Sequence, residues 1–282
     1  MAREQMNFTM DALLPAEMAQ RAEAIGVRKA QTPAAAMFTL AVLAGAFIAL
    51  GALFATTVTA GTASAWPFGV TRLLAGLVFS LGLILVVVGG AELFTGNNLI
   101  VMAWASRKVT TASLLRNWAL VYAGNFVGAV GTALLSVLAR QYAFGAGAVG
   151  ATALSIAHAK LELDFVPAFF LGVLCNALVC LAVWLSYSAR STIDRVVAVV
   201  PPIAAFVTAG FEHSIANMYF IPVALLLRTV EPGLAAGSGL DLSSLTWSAF
   251  AVRNLIPVTL GNILGGAGLV AVVYWSVYLR KG

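Results

Sequence analysis

The sequence predicts an all-α integral membrane protein of six transmembrane helices, built as an inverted repeat with helices two and five broken. Three observations predict it. Of 282 residues, 61% are hydrophobic and only 10% charged, and the mean hydropathy is +0.96. The charges that do occur delimit apolar runs about as long as a bilayer is thick, roughly 20 residues. Two of those runs are interrupted by polar segments that match each other. A soluble domain carries about a quarter charged residues, so lipid is the solvent for most of this surface.

The first 33 residues carry Arg3, Glu4, Asp11, Glu17, Arg21, Glu23, Arg28 and Lys29 and no apolar h-region. They are read as a short amphipathic helix from Leu13 to Val27 rather than a signal peptide. Pro15 suits its first turn and Gly26 its end. Residues 34–279 then form the transmembrane domain. Lys29 to Arg72 holds no charge, and its core from Ala34 to Ala60 is the first span. Arg72 to Glu92 frames the second, Arg116 to Arg140 the third and Asp164 to Arg190 the fourth. Arg195 to Arg228 is interrupted only by Glu212, and Arg253 to Arg280 frames the sixth.

Lysine and arginine set the orientation. With a cytoplasmic N-terminus, eleven of the sixteen basic residues lie inside: Arg3, Arg21, Arg28, Lys29, Arg107, Lys108, Arg116, Arg190, Arg195, Arg280 and Lys281. Arg72, Arg140, Lys160, Arg228 and Arg253 lie outside. Both termini are therefore expected in the cytoplasm, and the net charge of +5 reflects this rule rather than nucleic-acid binding.

Residues 73–106 and 196–227 are too long for plain spans. Their interruptions, GGAELFTGNN and GFEHSIAN, put charged and amide side chains at membrane depth. Such groups persist there only where they are buried or line a cavity. Gly90, Glu92 and Asn97 follow the same G-x-E-x4-N spacing as Gly210, Glu212 and Asn217. Arg116-Asn117, Gly124-Asn125 and Gly128 likewise match Arg253-Asn254, Gly261-Asn262 and Gly265, and LAVLAGA matches LGVLCNA. The halves, about 34–140 and 165–279, each hold three spans and so run in opposite orientations. Inverted repeats with broken helices place a transport path at the repeat interface. Inward-turned half-helix N-termini carry partial positive charge, which favours an anion.

GGAELFTGNNLI, CNALVCLAVWLS, GFEHSIANMYFIP and NLIPVTLGNILGG resemble the signature blocks of the formate/nitrite transporter family, and the likeness runs from LLPAEMAQRAEAIGV to YWSVYLR. The resemblance implies an aquaporin-like fold, a homopentamer in the bacterial inner membrane, and one pore per subunit for small monovalent anions, formate or nitrite. It also implies that His213 is the central pore residue, faced by Thr95, with Asn176 nearby. Phe79 with Phe206 would form one constriction, Leu83 with Leu93 the other, and Lys160 would lie by the outer vestibule. Glu92, Glu212, Asn97 and Asn217 are assigned structural roles in the helix breaks, the glutamates as acceptors of backbone N–H bonds. Asn125 and Asn262, which follow glycine, are expected to clamp helices together. ELFTG is similar to the nitrite branch, whereas the N-terminal segment and SYSARSTIDR are similar to the formate branch. Formate is taken as the substrate, with nitrite and hydrosulfide open within the family. His213 leaves open gating by pH or coupling to protons.

Other classes fare worse. A neutral-solute aquaporin-like pore shares the architecture, but its Asn-Pro-Ala pair is missing. An intramembrane enzyme needs a nucleophile–base pair or a metal cluster. Ser214 beside His213 is no such pair, because adjacent helical residues do not face each other. Cys175 and Cys180 point about 140° apart on a helix and cannot bridge. No cofactor is expected. His158 is expected to be solvated in an external loop, and Trp66 and Trp247 to anchor span ends at the interface.

Overall fold

The computed structural model describes residues 12–62 and 65–280. Among them the elements are α1 (Pro15–Gln31), α2 (Ala34–Thr59), α3 (Phe68–Gly89), a 3-10 segment Gly96–Ile100 running into α4 (Val101–Ala105), and α5 (Thr111–Leu138). The chain continues through α6 (Ala148–Leu161), α7 (Phe165–Ser188), α8 (Thr192–Ala209), α9 (Ser214–Val230), α10 (Pro232–Gly237) and α11 (Trp247–Tyr278). α2, α3, α5, α7, α8 and α11 are long and apolar enough to cross a bilayer. Arg3, Glu4, Asp11 and Lys281 lie outside the described residues.

Packing follows the repeat. α2 packs on α3 and α5, α7 packs in the same way on α8 and α11, and α3 meets α8 between the two sets. Large apolar side chains such as Leu135, Leu138, Val166, Ile193 and Val252 remain exposed on the outer faces, as suits surfaces that meet lipid or neighbouring subunits. Between α2 and α5 the backbones approach so closely that a Cβ on Gly128 would strike the Val42 carbonyl. Its repeat partner Gly265 lies equally tight against Val173 of α7. Small residues permit such contact, which is how helices gain packing energy when lipid is as apolar as leucine.

α3 and α8 stop for the same reason. Gly90 and Gly210 adopt left-handed backbone, φ 78° and 79°, and the amides that follow fold back onto the last-turn carbonyls. The second and fifth spans therefore end at mid-depth, and each restarts as a separate helical segment.

Four details differ from expectation. α1 runs one turn past Val27, because Gly26 does not end it. That glycine sits against Ala103, where a Cβ would come within 3.1 Å of another. α5 and α11 begin before Arg116 and Arg253, since long basic side chains can reach the interface from inside a helix. The stretch around His158 is the helix α6 packed on α9, and His158 is half-buried in it. Finally, the Glu92 and Glu212 carboxylates accept from lysine and asparagine rather than from backbone amides of the breaks. The break backbones are held by other groups.

Candidate functional site

Each break is fastened by one asparagine. Asn125 of α5 accepts from the Phe94 N–H at 2.9 Å and donates to the carbonyls of Ala41 (2.7 Å) and Glu92 (2.9 Å). Asn262 of α11 repeats the pattern, accepting from Ser214 N–H at 2.9 Å and donating to Gly172 (2.8 Å) and Glu212 (3.0 Å). The Glu92 amide donates to the Leu40 carbonyl and the Glu212 amide to Leu171, the same pairing at matched positions. Backbone groups freed by unwinding have no water at this depth, so a side chain must satisfy them. Asn125 and Asn262 do so.

A second matched set lies just outside the breaks. Lys29 Nζ donates to Glu92 at 2.8 Å and to Asn97 Oδ1 at 2.9 Å, and Asn97 Nδ2 donates to Glu92 (2.7 Å) and Asn117 (2.9 Å). On the other side Lys160 Nζ donates to Glu212 at 2.7 Å, while Asn217 Nδ2 donates to Glu212 and Asn254, both at 2.7 Å. Asn117 and Asn254 close the two sets by donating to the carbonyls of Lys29 and Lys160 at 3.2 Å. The sets differ in one respect: Lys160 leaves Asn217 Oδ1 without a protein partner and lies 5.4 Å from the Phe220 ring centre. Both carboxylates are buried and paired, the arrangement that a charge at membrane depth requires.

Two vestibules approach each other from opposite ends of α3 and α8. One, about 460 Å³, is walled by α1 and by the first break, and includes Lys29, Leu83, Glu92, Leu93 and Asn97. The other, about 630 Å³, includes Arg72, Phe79, Lys160, Phe206, Glu212 and His213. Arg72 donates to the last carbonyls of α8, Val207 and Thr208, and so caps that helix while lining the vestibule. Phe79 and Leu83 are one turn apart on α3, about 6 Å along the axis, and they belong to different vestibules. Phe79 and Phe206 meet edge to face at 5.6 Å, and all four apolar residues at the septum are at most 3% exposed.

At that septum Thr95 Oγ1 and His213 Nε2 lie 3.1 Å apart, both side chains buried. His213 also N-caps α9, its Nδ1 accepting from the Ala216 N–H at 3.1 Å. An Nδ1 that accepts carries no proton, so the neutral ring has its N–H at Nε2, aimed at Thr95. The Phe206 ring stacks on the imidazole, centres 5.8 Å apart. Asn176 lines neither vestibule. Its Nδ2 donates to the carbonyls of Thr95 (3.3 Å) and Asn262 (2.7 Å), while its Oδ1 has no protein partner.

The repeat is broken where the halves meet. His213 stands at the position of Leu93, and Ile215 at that of Thr95. The centre thus holds one imidazole and one hydroxyl rather than two of each. Of the residues singled out from the sequence, His213, Thr95, Phe79, Phe206, Leu83 and Leu93 meet at the septum, Lys160, Glu212 and Asn217 lie on one side of it and Glu92 and Asn97 on the other, and Asn176 stands behind Thr95 outside both vestibules. The roles of Lys29, Asn117, Asn254 and Arg72 were not read from it. Lys29 had a signal: it precedes Lys160 by 131 residues, the spacing that separates LAVLAGA from LGVLCNA.

Comparison with known proteins agrees with this geometry. The family model described as formate/nitrite transporter matches residues 16–276. The formate channel FocA of Escherichia coli K12 is 48% identical over 275 residues, 96% of each chain. The formate channel FocA of Haemophilus influenzae is 41% identical, covering 100% of this chain and 99% of its own. A solved structure described as a pentameric formate channel with formate bound superposes with a TM-score of 0.81 at 45% identity, covering 88% of this chain and 98% of that one.

Proposed function

The chain belongs to the formate/nitrite transporter family, and on that premise we propose that it conducts formate through a pore in each subunit of a homopentamer. The observation that carries the reading is the pair of lysine-bearing vestibules separated by a thin apolar septum with one imidazole N–H at its centre. Formate is the solute in the names of the two relatives and in the description of the solved structure.

In this mechanism residues 34–279 form the channel, with halves 34–140 and 165–279, and the N-terminal 33 residues form a cytoplasmic element. By the distribution of Lys and Arg both termini face the cytoplasm, and the bacterial inner membrane is the location that the family resemblance implies. Lys160 and Lys29 are neutralised by their glutamates, so the guanidiniums of Arg72 on the outer side and of Arg28 and Arg195 on the inner side raise the local anion concentration. Phe79, Phe206, Leu83 and Leu93 strip water from the ion, and hydrophobic constrictions of this sort reject larger or strongly hydrated ions. A desolvated anion is costly. The His213 Nε2–H, the Thr95 hydroxyl and the inward N-terminus of α9 offset that cost by donating toward it. Asn176 holds the Thr95 backbone in place for this purpose. Glu92, Glu212, Asn97 and Asn217 keep the lysines positioned at the two approaches.

Solute uptake into proteoliposomes, followed by light scattering, tests the assignment. Formate should enter at least about tenfold faster than chloride, a difference of about 1.4 kcal/mol. Equal rates would overturn the selective septum, and nitrite outrunning formate would move the protein to the nitrite branch.

A further inference from the structure

The two vestibules differ in how their cations are satisfied. In the larger one, Arg72 is spent on carbonyls and Lys160 on Glu212. In the one beneath α1, Arg21, Arg28, Lys29 and Arg195 line the same cavity, and the only carboxylate among the lining residues is Glu92, already bound to Lys29 and Asn97. Arg28 and Arg195 make no side-chain hydrogen bond or ion pair among the described residues, and Arg21 makes one, to the Tyr187 carbonyl at 2.9 Å. Among the described residues the nearby acids are committed elsewhere: Asp194 caps α8 through the Arg190 and Ser191 amides, Glu17 caps α1, and Glu23 pairs with Lys108. Burial, together with the neighbouring guanidiniums of Arg195, Arg190 and Arg28, pushes the Arg21 pKa below its ordinary value.

Like charges gathered without counter-charges repel, and a fold that keeps them together is adapted to an anion between them. Formate is too small and carries too little charge to satisfy this group. The cavity volume, about 460 Å³, falls within the range of roughly 300–1,000 Å³ typical of sites for drug-sized ligands. Guanidinium forks match phosphate oxygens in pairs, and such charge-assisted bonds are about twice as strong as neutral ones. We propose that this vestibule is a binding site for a phosphate-bearing, multiply charged anion, held by Arg21 and Arg28 of α1 and Arg195 of α8. Because the ligand joins α1 to the channel body across the approach to Leu83 and Leu93, its occupancy closes that approach. The binding half of the proposal stands on geometry alone; the closing half rests on the conduction described above.

Inorganic pyrophosphate is the probe. Titrated calorimetrically into the purified full-length protein, it should bind saturably. Arg28→Ala combined with Arg195→Ala should weaken it by roughly tenfold or more, with the Arg→Lys pair falling between. His213→Phe should leave binding unchanged, since the septum is not part of the site. Repeating the titration in nanodiscs identifies the source of the phosphate. Loss of pyrophosphate binding in phosphatidylglycerol discs but not in phosphatidylcholine discs assigns the site to lipid headgroups, and equal binding in both assigns it to a soluble ligand. Binding that also slows formate entry supports closure. Binding without slowing overturns closure alone. Absence of saturable binding in detergent and in both discs, or equal affinity in all arginine variants, overturns the site itself.

Discussion

Replacing Asn262 with alanine is expected to destabilise the folded channel by at least about 2 kcal/mol. The substitution leaves the Ser214 N–H and the Glu212 carbonyl without their partner and takes a second donor from the Gly172 carbonyl, which the helical ladder of α7 also engages. Each buried polar group left unsatisfied costs about 1–3 kcal/mol. Side-chain hydrogen bonds between membrane helices average only about 0.6 kcal/mol, because the separated helices find other partners. That discount is small here. The Ser214 N–H and the Glu212 carbonyl flank a helix break, and removing Asn262 offers them no substitute. Asn125→Ala should behave alike through Phe94, Ala41 and Glu92. Thermal unfolding followed by size-exclusion fluorescence checks both, and a midpoint like that of the unmodified protein would refute the clamp.

His213→Phe is expected to cut formate flux by roughly ten- to a hundredfold while leaving the assembly folded. Phenylalanine fills the ring's space beside Phe206, and losing the Nδ1 cap on the Ala216 N–H costs about 1 kcal/mol, too little to unfold the assembly. The lost donor is charge-assisted once the anion arrives, worth about 1.5–3 kcal/mol. His213→Gln supplies an N–H that does not titrate. It should retain more flux than His213→Phe. In the native protein, a second proton on the ring must take Nδ1 from the Ala216 N–H and so disturb the start of α9. Flux against pH for the three proteins separates these roles. Identical profiles would remove His213 from the centre of the pathway.

Most of the fold was legible because lipid imposes simple rules. Charges marked spans, and the Glu92 and Glu212 segments betrayed breaks that no plain span would contain. The boundaries were less legible. Arg116 and Arg253 lie inside helices, since a long side chain decouples where a charge sits from where its helix ends. The α6 helix could not be read from hydropathy, being neither a span nor a polar loop. At the site, the family resemblance supplied His213, Thr95 and the apolar residues, and composition alone would not have distinguished Phe79 from a lipid-facing aromatic. Lys29 was missed because it lies among other basic residues ahead of the first span, where it counts toward orientation. Its bond to Glu92 across 63 residues is a tertiary fact. The matched spacing to Lys160 was the one trace of it in the chain.

If formate crosses as an anion past a neutral imidazole donor, its passage carries charge and leaves the internal pH alone. Current and internal pH, recorded together in proteoliposomes under opposed formate and chloride gradients, separate this from passage of the neutral acid. A formate current well above that of chloride is expected, with internal pH steady, and a much smaller current for His213→Phe. Internal acidification without current would contradict it, since that would mean the neutral acid crosses and the septum passes no ion.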